Sequence, residues 1–449
     1  MNPNDFPSAI LSPYSSIAPN SSVPIYEGPV LIGPPAESIA ASGTVVFRWL
    51  PTPKIVFEFL TSDFNKYHSG EEVECRISSD FDPDVLHISS ENMSFNPEGS
   101  QRKLSGEVAG HFYQGCEGPV SRIIFHVPNF LKTFGKQAVW FKDGQPVFST
   151  GRMTLDSDKW NITIDDISDR SKAFAELKSS RGYAITHLGE VRRIDGSEFQ
   201  FRDIEALLED LGLFLSWSRG NWTAPFLHIG FQSDGKEQWK RWQAPLVDHW
   251  RVVNHWFPDH DTSNIQVAWE SFRDRLNDPV WREVLLRALN WYLVCNRFEG
   301  GAEGSIIMAQ AALEMLSWNR FVAEKGSTAR AFKDLAASER LRLPLNEASL
   351  PMGIPSILSA LVNAAEPKRF DWEDGPHATT EIRNMLVHPT PVKLSKLQRL
   401  SNDEIYQGYM LSMWYLEVTL LFYLRYEGIY YNRCKFDIHY GDTEKVPWS

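Results

Sequence analysis

The sequence predicts an α+β chain: a β-rich N-terminal domain, an antiparallel sandwich or barrel-like sheet, followed by an all-α bundle. Three observations carry this. Short β-branched and aromatic runs recur from Thr44 to Phe231, amphipathic stretches of helical period take over beyond Asp278, and a polar turn near Pro258 to Asn264 separates the two textures.

Residues 1–40 carry Pro3, Pro7, Pro13, Pro19, Pro24, Pro29, Pro34 and Pro35 among Ser, Ala and Gly, which excludes a helix. The segment is either an extended arm along the next domain or a partly disordered leader. Residues 41–262 form the β-rich domain. Its strands are expected at Thr44–Trp49, Lys54–Phe59, Ser121–Val127, Val139–Phe141, Trp160–Ile164, Tyr183–His187 and Phe226–Phe231, with a hairpin at Asp143-Gly144 before Pro146–Phe148. One helix interrupts them, because Ile204, Leu208, Leu211 and Leu215 share a face of Phe201–Leu215.

Residues 263–449 form the helical domain. Asp278-Pro279 is expected to open a helix that stops before Gly300-Gly301. Glu303–Glu324 follows, with Ile306, Ala309, Leu313 and Leu316 along one stripe, then shorter pieces at Thr328–Leu341 and Pro355–Ala364. A helix starting near His377 or Ala378 precedes the last long one, which Ser401-Asn-Asp-Glu404 opens with capping-box spacing. Five or six helices with short connections predict an antiparallel bundle.

Composition narrows the function. A length of 449 residues with 43% hydrophobic and 13% aromatic content fits two or three folded domains. A formal charge of −12 argues against coating nucleic acid non-specifically, since that binding is mainly phosphate neutralisation by Lys and Arg, while leaving room for a local basic pocket. Cys75, Cys116, Cys295 and Cys434 form no Cys-x-x-Cys pair, so neither a zinc ribbon nor a disulfide framework is indicated. The N-terminus lacks a secretory pattern, and the apolar stretch Met410–Tyr426 is too short and is broken by Glu417. A cytoplasmic protein with no membrane contact is expected.

The chemistry points to Glu381-Ile-Arg-Asn-Met-Leu-Val-His-Pro389. The Arg383 guanidinium can hold a phosphate through two hydrogen bonds, and the His388 imidazole can move a proton near neutral pH. Residues five apart on an ideal helix point roughly 140° from one another. Pro389 disfavours helical backbone at His388, so the helix is expected to end there and free the ring.

Arg383, Asn384 and His388, placed between helices, resemble the Arg-Asn-x-x-x-His signature of the HEPN superfamily, over roughly Asp278 to Arg433. The resemblance implies a HEPN-type bundle, a homodimer through the helical domain with two motifs facing one cleft, and endoribonuclease activity that leaves 2′,3′-cyclic phosphate. His388 would take the 2′-hydroxyl proton, Arg383 would stabilise the scissile phosphate, and Asn384 would orient either of them. It implies no cofactor and no metal. A β-rich region before such a domain also resembles abortive-infection proteins, including the ApeA-type anti-phage group. That implies a defence or toxin effector whose N-terminal domain senses a phage-derived or small-molecule trigger. The alternative is a non-catalytic HEPN module for dimerisation or nucleotide sensing, or a ligand-binding scaffold.

Other features carry weaker readings. Glu303 and Glu314 either orient the motif or face solvent. Arg320, Lys325, Arg330, Lys333, Arg340 and Arg342 either guide RNA or form a solvated face. His249, His255 and His260 with Asp248, Asp259 and Asp261 match no standard metal-ligand spacing, and the Trp-rich segment Trp217–Trp256 either stacks ligands or fills a core.

Overall fold

A computed structural model describes residues 3–62, 72–77, 84–95, 101–367, 369–388, 390–435 and 441–449. Pro389, expected to end the motif helix, lies outside the described residues. A β-rich N-terminal half precedes a helical region, an α+β chain. It divides into two compact units: Met1–Gly212 with Thr223–Arg251, and Leu213–Trp222 with Val252–Ser449.

The first unit holds two sheets where one sandwich or barrel was expected. Strands β1 (Val23–Ile32), β2 (Ile39–Arg48), β3 (Lys54–Thr61), β4 (Glu72–Ile77), β5 (Asp84–Phe95) and β6 (Arg102–Ala109) close into a barrel in the order β1-β2-β3-β6-β5-β4. Every pairing is antiparallel. Alternate residues such as Val45, Phe47, Phe57, Phe59, Ile77 and Leu86 point inward and pack the core. Strand β1 lies in the stretch whose prolines suggested an arm. Among the described residues β4 meets Val30, Leu31 and Ile32, and the earlier part of β1, with Pro24 and Pro29, has β2 as its ladder partner.

The second sheet contains β7 (His111–Gly115), β8 (Arg122–Pro128), β9 (Lys136–Lys142), β10 (Gln145–Thr154), β11 (Trp160–Asp166), β12 (Ile185–Arg193), β13 (Phe226–Phe231) and β14 (Glu237–Gln243). Their spatial order is β7-β14-β13-β8-β12-β11-β10-β9. The β9–β10 hairpin turns at Asp143-Gly144 as the sequence implied, with φ of 49° and 76°, the paired left-handed conformation a two-residue turn needs. Helix α1 (Arg170–Ser180) precedes β12. Helix α2 (Glu205–Arg219) buries Leu208, Leu211 and Leu215; its residues up to Gly212 count with the first unit and those from Leu213 with the second.

The second unit comprises α3 (Ile265–Asn277), α4 (Arg282–Asn296), α5 (Gly301–Trp318), α6 (Ala329–Asp334), α7 (Ala337–Glu347), α8 (Ser359–Ala364), α9 (Gly375–Val387), α10 (Pro391–Leu397) and α11 (Asn402–Tyr423). A short hairpin of β15 (Ile429–Tyr430) and β16 (Glu444–Lys445) follows. Beyond its α-helical part, α5 continues as a π-helical turn over Asn319–Glu324. The piece expected at Thr328–Leu341 is two helices, because the chain leaves the helical region at Leu335 and Ala336, whose ψ values are 143° and 154°. Asp278 does not cap α4. Its carboxylate accepts the Val280 N–H at 2.9 Å in the preceding turn, and Trp281 stands at the cap.

Phe214 and Trp217 pack within this unit against Phe272, with centroids 5.3 and 5.8 Å away, and Trp217 lies 4.4 Å from Trp256. Trp217, Trp239, Trp242 and Trp256 are all fully buried, which settles the Trp-rich segment as core rather than a stacking surface. Among the described residues no helix is long and apolar enough to cross a membrane.

Candidate active site on the motif helix

Helix α9 carries the motif. Asp374 starts it: the carboxylate accepts the His377 N–H at 2.8 Å, and Pro376 occupies the first turn, where its missing N–H costs nothing. The helix therefore begins at Gly375, earlier than the His377 or Ala378 expected, because Gly-Pro acts here as a first turn rather than a breaker. Asp374 also receives both Arg342 nitrogens, Nε at 2.7 Å and Nη2 at 2.9 Å, so the cap is held by α7.

Helix α9 packs against α5, α7, α10 and α11. Ile382 and Met385 are its buried anchors. Gly408 on α11 makes room for Ile382, since a Cβ there would lie 2.9 Å from the Ile382 Cδ1 and 3.7 Å from the Ile306 Cδ1 of α5. Burying Ile382 and Met385 leaves Arg383 and Asn384 half-buried on the flank between them.

The structure brings Arg383 and Asn384 together. Arg383 Nη1 donates to Asn384 Oδ1 at 3.2 Å, and Arg383 Nε is buried with no partner among the described residues. His388 stands at the C-cap with φ −125° and ψ 77°, outside helical backbone, and its N–H closes the last turn onto the Asn384 carbonyl at 3.2 Å. Its side chain is exposed, and among the described residues no hydrogen bond or ion pair joins the ring to Arg383 or Asn384. The motif thus offers an un-neutralised guanidinium, an amide that orients it, and a solvent-facing imidazole one turn on.

The stretch from Arg320 to Arg342 is largely neutralised. Arg320 pairs with Glu324 at 2.7 Å and with Glu347, Lys325 with Glu347 at 3.0 Å, Arg330 with Asp334 at 3.9 Å, and Arg342 with Asp374, Glu373 and Glu339. Glu347 raises the Arg320 guanidinium and Asp374 the Arg342 guanidinium above the ordinary value, each through hydrogen bonding. Glu314 lies 3.9 Å from Arg340, and Glu303 is exposed. Cations free of carboxylates lie elsewhere. Lys393 and Lys396 on α10 make no ion pair among the described residues, and Arg399 donates to the Arg369 carbonyl at 3.1 Å.

Among the described residues no cluster of ligands suits a metal. His260 Nδ1 lies 3.0 Å from the Tyr431 hydroxyl, that hydroxyl donates to Asp259 at 2.9 Å, and the His255 ring meets Tyr431 edge-on. Burial, with Arg219 nearby, holds His255 down to about 3. These two half-buried histidines pack against Tyr431, and His249 is exposed.

Two buried polar arrangements escaped the sequence. Arg433 and Glu417 form an ion pair at 2.5 Å with each side chain 1% exposed. Tyr292 donates to Glu417 at 2.6 Å, and Arg433 Nη1 donates to Asn296 Oδ1 at 3.1 Å. Burial opposes the Arg433 charge, yet Glu417 and Tyr292 leave its guanidinium raised. In the first unit, Ser12 Oγ meets His126 Nε2 at 2.6 Å, a pair that suggests a nucleophile and base. The other ring nitrogen faces the Leu227 carbonyl at 2.8 Å instead of a carboxylate, and burial holds the imidazole down to about 4. The pair ties the N-terminal segment to the sheet.

Comparison with known proteins returns two family descriptions, the YopA central domain over residues 116–253 and the YopA C-terminal domain over residues 278–444. The latter spans the motif helix. No solved structure matches the chain. A Bacillus subtilis (strain 168) protein described as the SPbeta prophage-derived uncharacterized protein YopA is 30% identical over 444 residues, covering 96% of this chain and 96% of that one. A likeness running through both units and nearly end to end places the chain in the YopA family.

Proposed function

We propose that the protein is a HEPN-like, metal-independent endoribonuclease that works as a homodimer in the cytoplasm, with the β-rich unit restraining or triggering it. The observation that carries this reading is the state of the motif: Arg383, tied to Asn384 and among the described residues to no carboxylate, stands five residues before a solvent-facing His388 at the end of the same helix. That combination suits transfer of a phosphodiester to its neighbouring 2′-hydroxyl. His388 removes the hydroxyl proton, and Arg383 meets the charge growing on the non-bridging oxygens. Asn384 holds the guanidinium in place.

The description of the relative as prophage-derived fits an effector that answers a phage-derived or small-molecule signal. The test is incubation of the full chain with end-labelled RNA, including a tRNA pool, in EDTA, beside Arg383→Ala and His388→Ala. Wild-type cleavage to cyclic-phosphate ends, lost by at least about a hundredfold in both variants, is the expected result. Intact RNA, together with equal toxicity of wild type and His388→Ala in phage-challenged cells, replaces the nuclease with a non-catalytic binding scaffold.

A further inference from the structure

The charge distribution around the motif is uneven in a way the net charge hides. In a chain of formal charge −12, the thirteen residues His388-Pro-Thr-Pro-Val-Lys-Leu-Ser-Lys-Leu-Gln-Arg-Leu400 contain no Asp or Glu. They carry Lys393, Lys396 and Arg399 and directly follow the motif helix, against which α10 packs. The acids nearest in sequence are Glu381, Asp403 and Glu404. Glu404 is already engaged by both terminal nitrogens of Arg369. The Arg399 guanidinium lies 5.2 Å over the Phe370 ring, which stacks at 4.8 Å on Trp372, and it has no carboxylate partner among the described residues.

Position on the helix sharpens the point. Lys393 and Lys396 are three residues apart, so they share one side of α10 with roughly 4.5 Å of rise between them. The apolar residues of this helix are not its core: Val392 and Leu394 are exposed, and α10 buries none of its side chains. This short helix thus buries none of its residues, carries half-buried Lys393 and Lys396 with no ion pair among the described residues, and packs against the motif helix. The cations from Arg320 to Arg342, by contrast, are mostly occupied by acids.

We propose that α10 and Arg399 seat the sugar-phosphate backbone of a single-stranded RNA, running the strand past His388 and Arg383. This rests on the nuclease reading and adds to it the residues that hold the strand. Lys393 and Lys396 act as point charges on successive phosphates, while Arg399, braced on Phe370, presents its fork to a third. The contacts carry no base sequence, so affinity depends on salt and little on composition.

The experiment measures fluorescence anisotropy of a short labelled single-stranded RNA with full-length protein in the His388→Ala background, across a salt titration. Lys393→Gln, Lys396→Gln and Arg399→Gln are tested singly and together. A control of equal kind removes Arg330 and Lys333 with Gln. Each lost phosphate contact lowers the slope of log affinity against log salt by about 0.7, so the triple variant is expected to lose about 2 in slope while the control keeps it. Melting temperatures verify the fold, and the single variants carry the argument should the triple one fail to fold. A triple variant that binds with the unaltered slope overturns this assignment and leaves the nuclease reading standing. The same unaltered slope with a changed subunit mass by light scattering makes α10 a contact between copies. Absence of RNA binding by His388→Ala together with absence of cleavage by the wild type removes the nuclease reading and this inference with it.

Discussion

His126 is buried against Ser12 and the Leu227 carbonyl, an environment that leaves the neutral ring bonded and a charged one without a counter-ion. Its imidazole is held down to about 4 from an ordinary 6.5, chiefly by burial. The folded protein therefore resists a proton that the unfolded chain accepts. Its stabilisation is complete above pH 6.5 and is lost as pH falls towards 4, a difference of about 3 kcal/mol. His126→Gln is expected to flatten the fall of melting temperature over that window. The fall does not vanish, because His228, also buried in this unit, is depressed in the same direction. An unchanged pH profile in calorimetry assigns the acid sensitivity to other groups. At this scale the motif was legible, since Arg383, Asn384 and His388 are named by residue type and spacing alone. The bond from Arg383 to Asn384 and the Ser12–His126 contact were not, the first because neighbours on a helix normally point apart, the second because its partners are 114 residues apart.

Helix α11 meets α9 and α5 at Gly408, where the space beside Ile382 decides what fits. Gly408→Ala gains about 1 kcal/mol of helix propensity and pushes a flexible methyl end, so near-neutral stability is expected. Gly408→Leu overpacks the contact and costs about 1–3 kcal/mol, and adding Ile382→Val recovers part of it in the double variant. Denaturant titration of the wild type, the two single variants Gly408→Leu and Ile382→Val, and the double variant checks this. A cost in Gly408→Leu that Ile382→Val does not relieve places the clash elsewhere. Ser401→Ala should remove about 1 kcal/mol, because Ser401 and Glu404 satisfy each other's backbone N–H at 3.3 and 2.7 Å. That box was legible in the sequence, as was β13 from Phe226 to Phe231. Helices α3 and α10 were not. Helix α3 follows the polar turn directly, and its Asn264 cap makes no side-chain bond, so no start signal marks it. Helix α10 buries nothing, so no apolar period betrays it.

Over the whole molecule, the tail beyond α11 is tied in by charge. Arg433→Met strands Glu417 in a dry interior and is expected to cost about 3–5 kcal/mol, while Arg433→Met with Glu417→Gln should regain part of that loss. Equal loss in single and double variants, measured by urea unfolding of the second unit, shows that packing rather than charge holds the tail. Residue order does not announce this pair, because only the fold brings a residue after the last helix back to the middle of it. Fold class was legible because periods of two and of 3.6 persist over long stretches.

The short segment Leu213–Trp222 is the feature with the widest reach. It belongs to the helical unit, although in the chain it lies between two parts of the β-rich one. A gene cut between Arg251 and Val252 would yield a fragment without Phe214 and Trp217, uncovering Trp256 and Phe272, and without the Gly220 carbonyl that accepts from Asn296 at 2.7 Å. Such a fragment is expected to aggregate on expression, and soluble, folded 252–449 would show the segment to be dispensable. Recombination at that point therefore cannot move the helical unit intact onto another N-terminal domain.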